Sequence, residues 1–335
     1  MNTVHHGNFN IEIQKLTIVK QSRRQFVSTM ALAGAAMPFA SSIGPFLQGQ
    51  AETRYPIRLF SKPLDTYDFG FMCECIVKSG IPGIDLAVRP GGRVEPASIE
   101  KDLPARIAEA KKYNLVTDMM VSGIMSAPDP FTERVLKTAS ESGIKYYRMG
   151  WFDYDPKLSI RDSMEKSRVE LKAIAELNKK YKIHGGYQNH AGPRVGGPVW
   201  DLAEILRGIP PEFLGSQYDV RHAMVEGANT WILGMKLIAP HIRTLAIKDF
   251  TWMTVNGKTQ AVTVPMGEGM VNWDLYFKTV KEMKISGPLT LHIEYPLLEK
   301  GEEKLTLTQQ QQIIVRKLKK DTDFLNSFLV KYQLI

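Results

Sequence analysis

The sequence contains a spaced set of side chains that can exchange protons or carry positive charge. Beyond the N-terminal His5 and His6 it has five histidines, and three of them lie close to a carboxylate or an amide: His190, His222 and His292. Asp219-x-x-His222 places a carboxylate at a strand end and an imidazole in the following loop, and His292-x-Glu294 puts two such groups on one side. Lys248 adds a cation. A neutral imidazole is a competent base near pH 7, a lysine can stabilise an enolate oxygen, and oxygen and nitrogen donors of this kind suit Mn²⁺, Zn²⁺, Co²⁺ or Mg²⁺. Any one histidine is equally compatible with a structural role, so the cluster is what indicates a site.

The elements that must position these residues alternate regularly. Short β-rich runs are separated by amphipathic helical patterns such as 99–113, 159–182 and 273–284, which predicts parallel strands joined by crossover helices. Eight such strands fit a closed (β/α)8 TIM barrel better than an open doubly wound sheet, and no Gly-x-Gly-x-x-Gly turn follows the first of them. The predicted strands are 57–61, 83–88, 115–121, 145–149, 184–188, 214–219, 242–248 and 289–294.

Two smaller features belong to the same prediction. Asn256-Gly257 within an alternating stretch after the seventh strand predicts a hairpin that could cover the barrel mouth. Cys73 and Cys75, two apart on the first predicted helix, point to different sides, so we expect two buried thiols rather than a disulfide.

In a barrel of this kind, catalytic and binding groups come from the C-terminal ends of the strands. The predicted catalytic residues there are His190, His222, Lys248 and Glu294. The predicted substrate-binding residues are Arg89, Arg148, Trp151, Gln188 and His292.

The N-terminal segment is typical of an export signal. Ser22-Arg23-Arg24-Gln25-Phe26-Val27 precedes a weakly apolar stretch and a run of small residues, as in a twin-arginine leader. The sequence therefore predicts a signal peptide over residues 1–51 and a catalytic barrel over residues 52–335, located in the periplasm or otherwise exported. A basic tail on a short buried helix is the alternative. The net charge of +8 comes in part from this leader, so nucleic acid is not an expected partner, nor is a membrane after cleavage.

The strand-end phrases make the chain resemble the xylose isomerase-like barrels of the sugar phosphate isomerase/epimerase family, in a subgroup with a twin-arginine leader. The likeness extends over residues 55–330. The phrases that carry it are Leu59-Phe60-Ser61-Lys62, Gly83-Ile84-Asp85-Leu86-Ala87-Val88-Arg89-Pro90-Gly91-Gly92, Tyr187-Gln188-Asn189-His190-Ala191-Gly192, Tyr218-Asp219-Val220-Arg221-His222-Ala223, Ile247-Lys248-Asp249, Gly267-Glu268-Gly269 with Trp273-Asp274, and His292-Ile293-Glu294-Tyr295.

The resemblance implies a divalent metal held by a Glu on the fifth strand, an Asp on the sixth, a His on the seventh and a Glu on the eighth. Asp219 and Glu294 match, and Gln188 stands at the fifth-strand position, so the implied ligands are Asp219, Glu294 and Gln188. Gln188 in place of Glu offers only a neutral amide oxygen and cannot act as a base. Ala246 stands where the His is expected, which weakens the predicted metal site.

The resemblance implies an isomerase or epimerase that acts on a small carbohydrate through a metal-assisted enediolate or enolate. A homo-oligomer is compatible with the sequence. The loops after the seventh and eighth strands are not glycine-rich, so we expect an unphosphorylated sugar or keto-sugar. One alternative is a lyase that eliminates the aglycone from 3-keto-glycosides, which Gln188 favours. Another is a non-catalytic sugar-binding barrel. An apurinic-site endonuclease is disfavoured because it needs a richer set of His and Glu ligands.

Overall fold

Within residues 54–335, the part of the chain that the computed structural model describes, eight short parallel strands close into a barrel. The strands of this part are β1 (Ile57–Phe60), β2 (Gly83–Val88), β3 (Val116–Ser122), β4 (Tyr146–Arg148), β5 (His184–Gln188), β6 (Leu214–Asp219), β7 (Ile242–Ile247), β8 (Asp249–Val255), β9 (Lys258–Val264) and β10 (Leu289–Leu291). Around the barrel the order is β1-β10-β7-β6-β5-β4-β3-β2, and the pairing of Ile57 with Leu289 closes it. The predicted (β/α)8 TIM barrel, as a single domain, is therefore confirmed.

Helices follow the strands and surround the barrel. They are α1 (Phe69–Lys78), α2 (Ile99–Lys112), α3 (Thr132–Glu141), α4 (Ile160–Tyr181), α5 (Val199–Ile205), α6 (Val220–Gly227), α7 (Trp231–Ile238), α8 (Trp273–Glu282) and α9 (Leu307–Lys331). In the series α1, α2, α3, α4, α5, α7, α8 and α9, each helix contacts the next. The last helix, α9, also contacts α1, so the outer layer closes as well. None of the helices in the described residues is long and apolar enough to cross a membrane.

Local sequence signals explain where the main helices begin. Asp68, Ser159 and Asn272 each accept a hydrogen bond from a backbone N–H in the first turn of α1, α4 and α8. Thr306 and Gln309 form a complete capping box at the start of α9. Because polar residues cap the ends while apolar faces pack on the strands, the alternating pattern of the sequence is sufficient to specify the barrel.

Two predicted boundaries need correction. The eighth barrel strand is only Leu289–Leu291, so His292 and Glu294 lie beyond its end; the His292 N–H still donates to the Ile247 carbonyl at 3.0 Å. His222 lies in the first turn of α6 and not in a loop, because Asp219 ends β6 and caps α6 at once. Both changes bring side chains to the barrel mouth rather than removing them from it.

The hairpin and the two thiols are as predicted. Strands β8 and β9 pair antiparallel outside the barrel, and Asn256 (φ 51°) with Gly257 (φ 74°) makes the turn, where positive φ favours these residue types. Cys73 and Cys75 are both buried and free. The predicted leader, residues 1–51, and the start of the predicted catalytic domain lie outside the described residues.

Candidate functional site

Lys248 lies at the centre of a buried charged cluster at the C-terminal end of the barrel. It directly follows β7, and its Nζ is 3.1 Å from Asp219 Oδ2 and 3.1 Å from Glu294 Oε1. The same ammonium is 3.0 Å from His222 Nε2. Asp219 ends β6 and Glu294 follows β10, the two strands that flank β7, so the barrel order brings these three charges together. Lys248 is thus held by two carboxylates and one imidazole.

Asp219 is fixed on all sides. Its Oδ1 accepts from the backbone N–H of His222 at 3.1 Å, and its Oδ2 accepts from the Gln188 amide at 2.7 Å. Asn189 holds the Asp219 backbone through hydrogen bonds to both its carbonyl and its N–H. The side-chain amide oxygen of Gln188 in turn accepts a hydrogen bond from Arg148 Nη1 at 3.0 Å. A continuous chain of contacts therefore runs from Arg148 through Gln188 and Asp219 to Lys248.

His222 is a neutral imidazole between two cations. Its Nε2 faces the Lys248 ammonium and its Nδ1 lies 3.0 Å from Arg221 Nη1. Burial, and then the charge of Lys248, hold the pKa of His222 well below its ordinary value. Cationic groups face both ring nitrogens, so the single lone pair of the neutral ring is already engaged; His222 is therefore poorly placed to take a proton from a substrate and well placed to position Lys248.

His190 is different because one of its nitrogens is free. Its Nδ1 lies 2.9 Å from the Ala191 carbonyl, an acceptor, so Nδ1 carries the hydrogen and Nε2 carries the lone pair. Burial, the largest cause, lowers the pKa of His190, and the charge of Lys248 lowers it further against the opposing bond to Ala191. The ring packs 4.0 Å from that of His222 and is half-buried. Of the two imidazoles, His190 has the geometry of a general base.

Glu294 and His292 follow β10 and so lie on the side of Lys248 opposite to β6 and Asp219. Burial by itself raises the pKa of Glu294, but the neighbouring His292 and Lys248 hold it below its ordinary value, so Glu294 is a carboxylate at neutral pH. His292 Nδ1 is 3.8 Å from Glu294 Oε1, and burial lowers the pKa of His292. The other ring nitrogen of His292 is buried without a hydrogen-bond partner in the described residues.

Aromatic rings and guanidinium groups form the wall of the site. Trp151 packs edge-on to His190, with ring centroids 4.6 Å apart, and carries the guanidinium groups of Arg148 at 4.1 Å and Arg194 at 4.8 Å over its ring. Arg89 reaches the site less directly, because its guanidinium lies over Phe60, whose ring is 4.9 Å from His292. Within the described residues, the buried Arg148 Nε and Trp151 Nε1 donors have no acceptor.

The structure thus places all the predicted site residues at one end of the barrel, and their roles stay predictions. Sequence reasoning missed two arginines. Arg221 faces His222 and also donates to the Ala261 carbonyl of β9 at 2.8 Å, which ties the hairpin to the site. Arg194 stacks on Trp151. The signal for Arg221 was its position within the Asp219-x-x-His222 spacing; no pattern marks Arg194.

The donor set does not fit the divalent metal that the resemblance implies. The Gln188 side chain donates its NH₂ to Asp219, and its amide oxygen accepts from Arg148. The oxygen that would bind a metal ion is therefore already engaged. Between Asp219 and Glu294 lies the Lys248 ammonium. No group of three or more His, Cys, Asp or Glu in residues 54–335 is arranged to hold a metal ion. These contacts place the Lys248 ammonium, a monovalent cation, at the position that the resemblance assigns to the metal ion.

Comparisons with known proteins agree with the fold. The sequence profile of the family described as "Xylose isomerase-like TIM barrel" matches residues 76–315. Among solved structures, a xylose isomerase domain protein from Planctomyces limnophilus superposes with a TM-score of 0.59 at 17% identity, over 84% of this chain and 99% of that one. An L-ribulose 3-epimerase gives a TM-score of 0.62 at 12% identity, over 83% and 96% of the two chains.

A third structure is a 3-keto-D-glucoside 4-epimerase from E. coli, with a TM-score of 0.56 and 10% identity over 78% of this chain and 99% of that one. At such identities these structures support the fold alone. No curated protein sequence matches the chain significantly.

Proposed function

Because the chain belongs to the xylose isomerase-like TIM-barrel family, we propose that it is an isomerase or epimerase-like enzyme that acts on an unphosphorylated sugar or keto-sugar through an enolate. The observation that carries the proposal is the free lone pair of His190 Nε2 in the same cluster as the Lys248 cation. A base and an electrophile placed together are what proton abstraction next to a carbonyl requires. The partner is a small carbohydrate.

The proposed steps use this chain's own residues. His190 Nε2 removes the proton from the carbon next to the substrate carbonyl, and the electron pair of that bond moves onto the carbonyl oxygen. Lys248 stabilises the resulting negative charge. The hydroxyl proton on the carbon that lost its hydrogen passes to the former carbonyl oxygen, so that a new carbonyl forms as the His190 imidazolium delivers its proton to the former carbonyl carbon, which completes an isomerisation. An epimerisation instead needs a proton donor on the opposite face. Glu294 is held ionised beside Lys248, so it can act there as a base but not as the donor.

Other residues of the cluster bind and orient the substrate. Arg148 Nε and Trp151 Nε1 are buried donors that would donate to sugar oxygens, and His292 Nε2 would accept from a hydroxyl, once binding uncovers these atoms. Trp151 also provides a ring face, and Arg89 lies at the edge of the site. Asp219 and Gln188 hold Lys248 and Arg148 rather than the substrate.

A second candidate function, elimination of the aglycone from a 3-keto-glycoside, is favoured by an apolar cavity. The cavity measures about 190 Å³ and opens at the ends of β2 and β3, on the same end of the barrel as Lys248. Its walls include Pro90, Ile124, Met125, Phe131 and Val135. In this reaction the enolate electrons re-form the C=O bond and a C=C bond forms as the glycosidic C–O bond breaks. The leaving oxygen takes the proton that His190 removed, so a single base is sufficient. The catalytic cluster does not line this cavity, so it would take an apolar aglycone that extends beyond the cluster.

Deuterium exchange separates these chemistries. Incubation of the enzyme with free ketoses and with 3-keto-glycosides in D₂O is expected to give carbon-bound deuterium in recovered ketose or in its epimer. Release of the aglycone would instead identify the lyase. If neither product forms over a wide pH range, with and without Mn²⁺, the proposed enzymatic function is wrong and the sugar-binding barrel takes its place.

We also propose export through the twin-arginine route, which Ser22-Arg23-Arg24-Gln25-Phe26 supports. Replacement of Arg23 and Arg24 by lysines is expected to leave the precursor in the cytoplasm, because this change keeps the charge and removes the guanidinium pair. Cell fractionation with an antibody to the barrel measures the distribution. A single replacement at Lys20 serves as the matched control. Equal export of the double variant and the wild type would contradict the proposal.

A further inference from the structure

The position of Lys248 has a consequence beyond the choice of base. Its ammonium is equidistant, at 3.1 Å, from one oxygen of Asp219 and one of Glu294. These two carboxylates stand at the ends of strands that lie on either side of β7 in the barrel. A cation placed between them from β7 therefore contacts both at once.

The neighbouring positions lack what a metal ion requires. Ala246 is buried and has no donor atom, and it lies two residues before Lys248, on the same side of the chain. Gln188 donates its NH₂ to the same Asp219 oxygen that Lys248 contacts. His222 presents one nitrogen to Lys248 and the other to Arg221. The Gln188 oxygen and the two His222 nitrogens thus face positively charged groups, namely Arg148, Lys248 and Arg221.

From these contacts we infer that the Lys248 ammonium takes the place of a divalent cation in this barrel and that the site excludes one. An oxygen-bound divalent ion lies about 2.0–2.6 Å from its ligands. An ion bound to both Asp219 and Glu294 would then lie almost on top of the ammonium, and the two positive charges repel each other strongly at that separation. The lysine supplies one positive charge at a fixed point, which neutralises part of the carboxylate pair without a metal.

The chemical consequence rests on the proposed function. Lys248 then stabilises the enolate oxygen through its positive charge, the contribution that a bound ion makes in a metal-assisted reaction. Binding of a metal, in contrast, can be measured without any substrate. The two proposals can therefore fail separately.

Titration of the full-length, chelator-treated protein with Mn²⁺ tests the inference. Wild-type protein is expected to bind well under one ion per chain at this site. A triple variant, Lys248→Met with Ala246→His and Gln188→Glu, restores four donors and is expected to bind about one Mn²⁺ at least ~100-fold more tightly. Lys278→Met, which changes an exposed lysine, is the matched control and should behave as the wild type. Thermal melting checks that each variant is folded.

Three results would overturn the inference. One is stoichiometric Mn²⁺ on the wild-type protein that Asp219→Asn abolishes. Another is a folded triple variant that binds no ion, because the ammonium would then not occupy the metal position. The third is turnover that EDTA removes and Mn²⁺ restores in the wild type. If no sugar is turned over and the wild type still excludes Mn²⁺, only the proposed function fails.

Discussion

Replacement of His190 by alanine is expected to lower turnover by roughly two to four powers of ten, the usual contribution of a general base. The loss follows because, of the three imidazoles in the cluster, His190 alone is partly exposed and has a lone pair that no cation engages. His222 directs Nε2 at Lys248 and Nδ1 at Arg221, and His292 is fully buried beside Glu294. Turnover is measured with the substrate identified by deuterium exchange. A loss of less than tenfold would remove His190 from the mechanism.

The pH dependence distinguishes a base from a structural residue. His190 acts only when neutral, so wild-type turnover should stay constant through neutral pH. It should fall as the pH drops through the His190 pKa, which burial places below 6.5. His190→Ala is expected to lose this acid limb together with most of the activity.

His222→Ala serves as the comparison because it removes an imidazole of the same cluster. It is expected to lower turnover as well, by releasing Lys248 from one of its three contacts, but to keep the acid limb. If the limb disappears in His222→Ala and persists in His190→Ala, the assignment of the two residues is reversed.

The fold could be predicted from the sequence because its determinants are local. Each β-rich run, each capped helix and the Asn256-Gly257 turn is encoded within a short window, and eight repetitions leave few architectures other than a closed barrel. The predicted ends of strands were less accurate where hydrogen bonds to residues distant in the sequence determine them. The eighth strand ends at Leu291 even though the polar-apolar alternation continues to Glu294.

The candidate site could be predicted as a set of residues but not as an arrangement. That Asp219, Lys248 and Glu294 stand at strand ends follows from local patterns. The position of Lys248 between the two carboxylates depends on which strands are neighbours and on the register of β6, β7 and β10. No spacing within the sequence contains this information. The same holds for His190 and His222, which look equivalent in the sequence and differ only in what their ring nitrogens contact.

Asp249 has a structural role although it directly follows the central residue of the site. It follows Lys248 at a strand end, where a carboxylate suggests chemistry, yet it is buried and faces away from the cluster. Its carboxyl group accepts hydrogen bonds from the indole N–H of Trp273 at 2.9 Å and from four backbone N–H groups. These belong to Phe250, Gly267, Gly269 and Val271. A Cβ on Gly269 would lie 2.1 Å from Asp249 Oδ1, so the loop passes this carboxyl group closely.

Asp249→Ala is therefore expected to destabilise the barrel strongly and to affect chemistry only through folding. Each buried donor left without an acceptor costs about 1–3 kcal/mol, and five lose theirs at once, so a decrease of at least ~4 kcal/mol in the free energy of unfolding is expected. For a chain of this size a decrease of that size lowers Tm by roughly 5–7 °C. Asp249→Asn keeps one acceptor oxygen and should lose less.

Asp274→Ala is the matched control, because it removes an exposed aspartate paired with Lys331 and should cost under ~1 kcal/mol. Scanning calorimetry gives the ranking, and turnover is measured well below each Tm. If Asp249→Ala melts like the wild type but loses turnover, its carboxyl group acts in the reaction and not as the support of the loop that ends in α8.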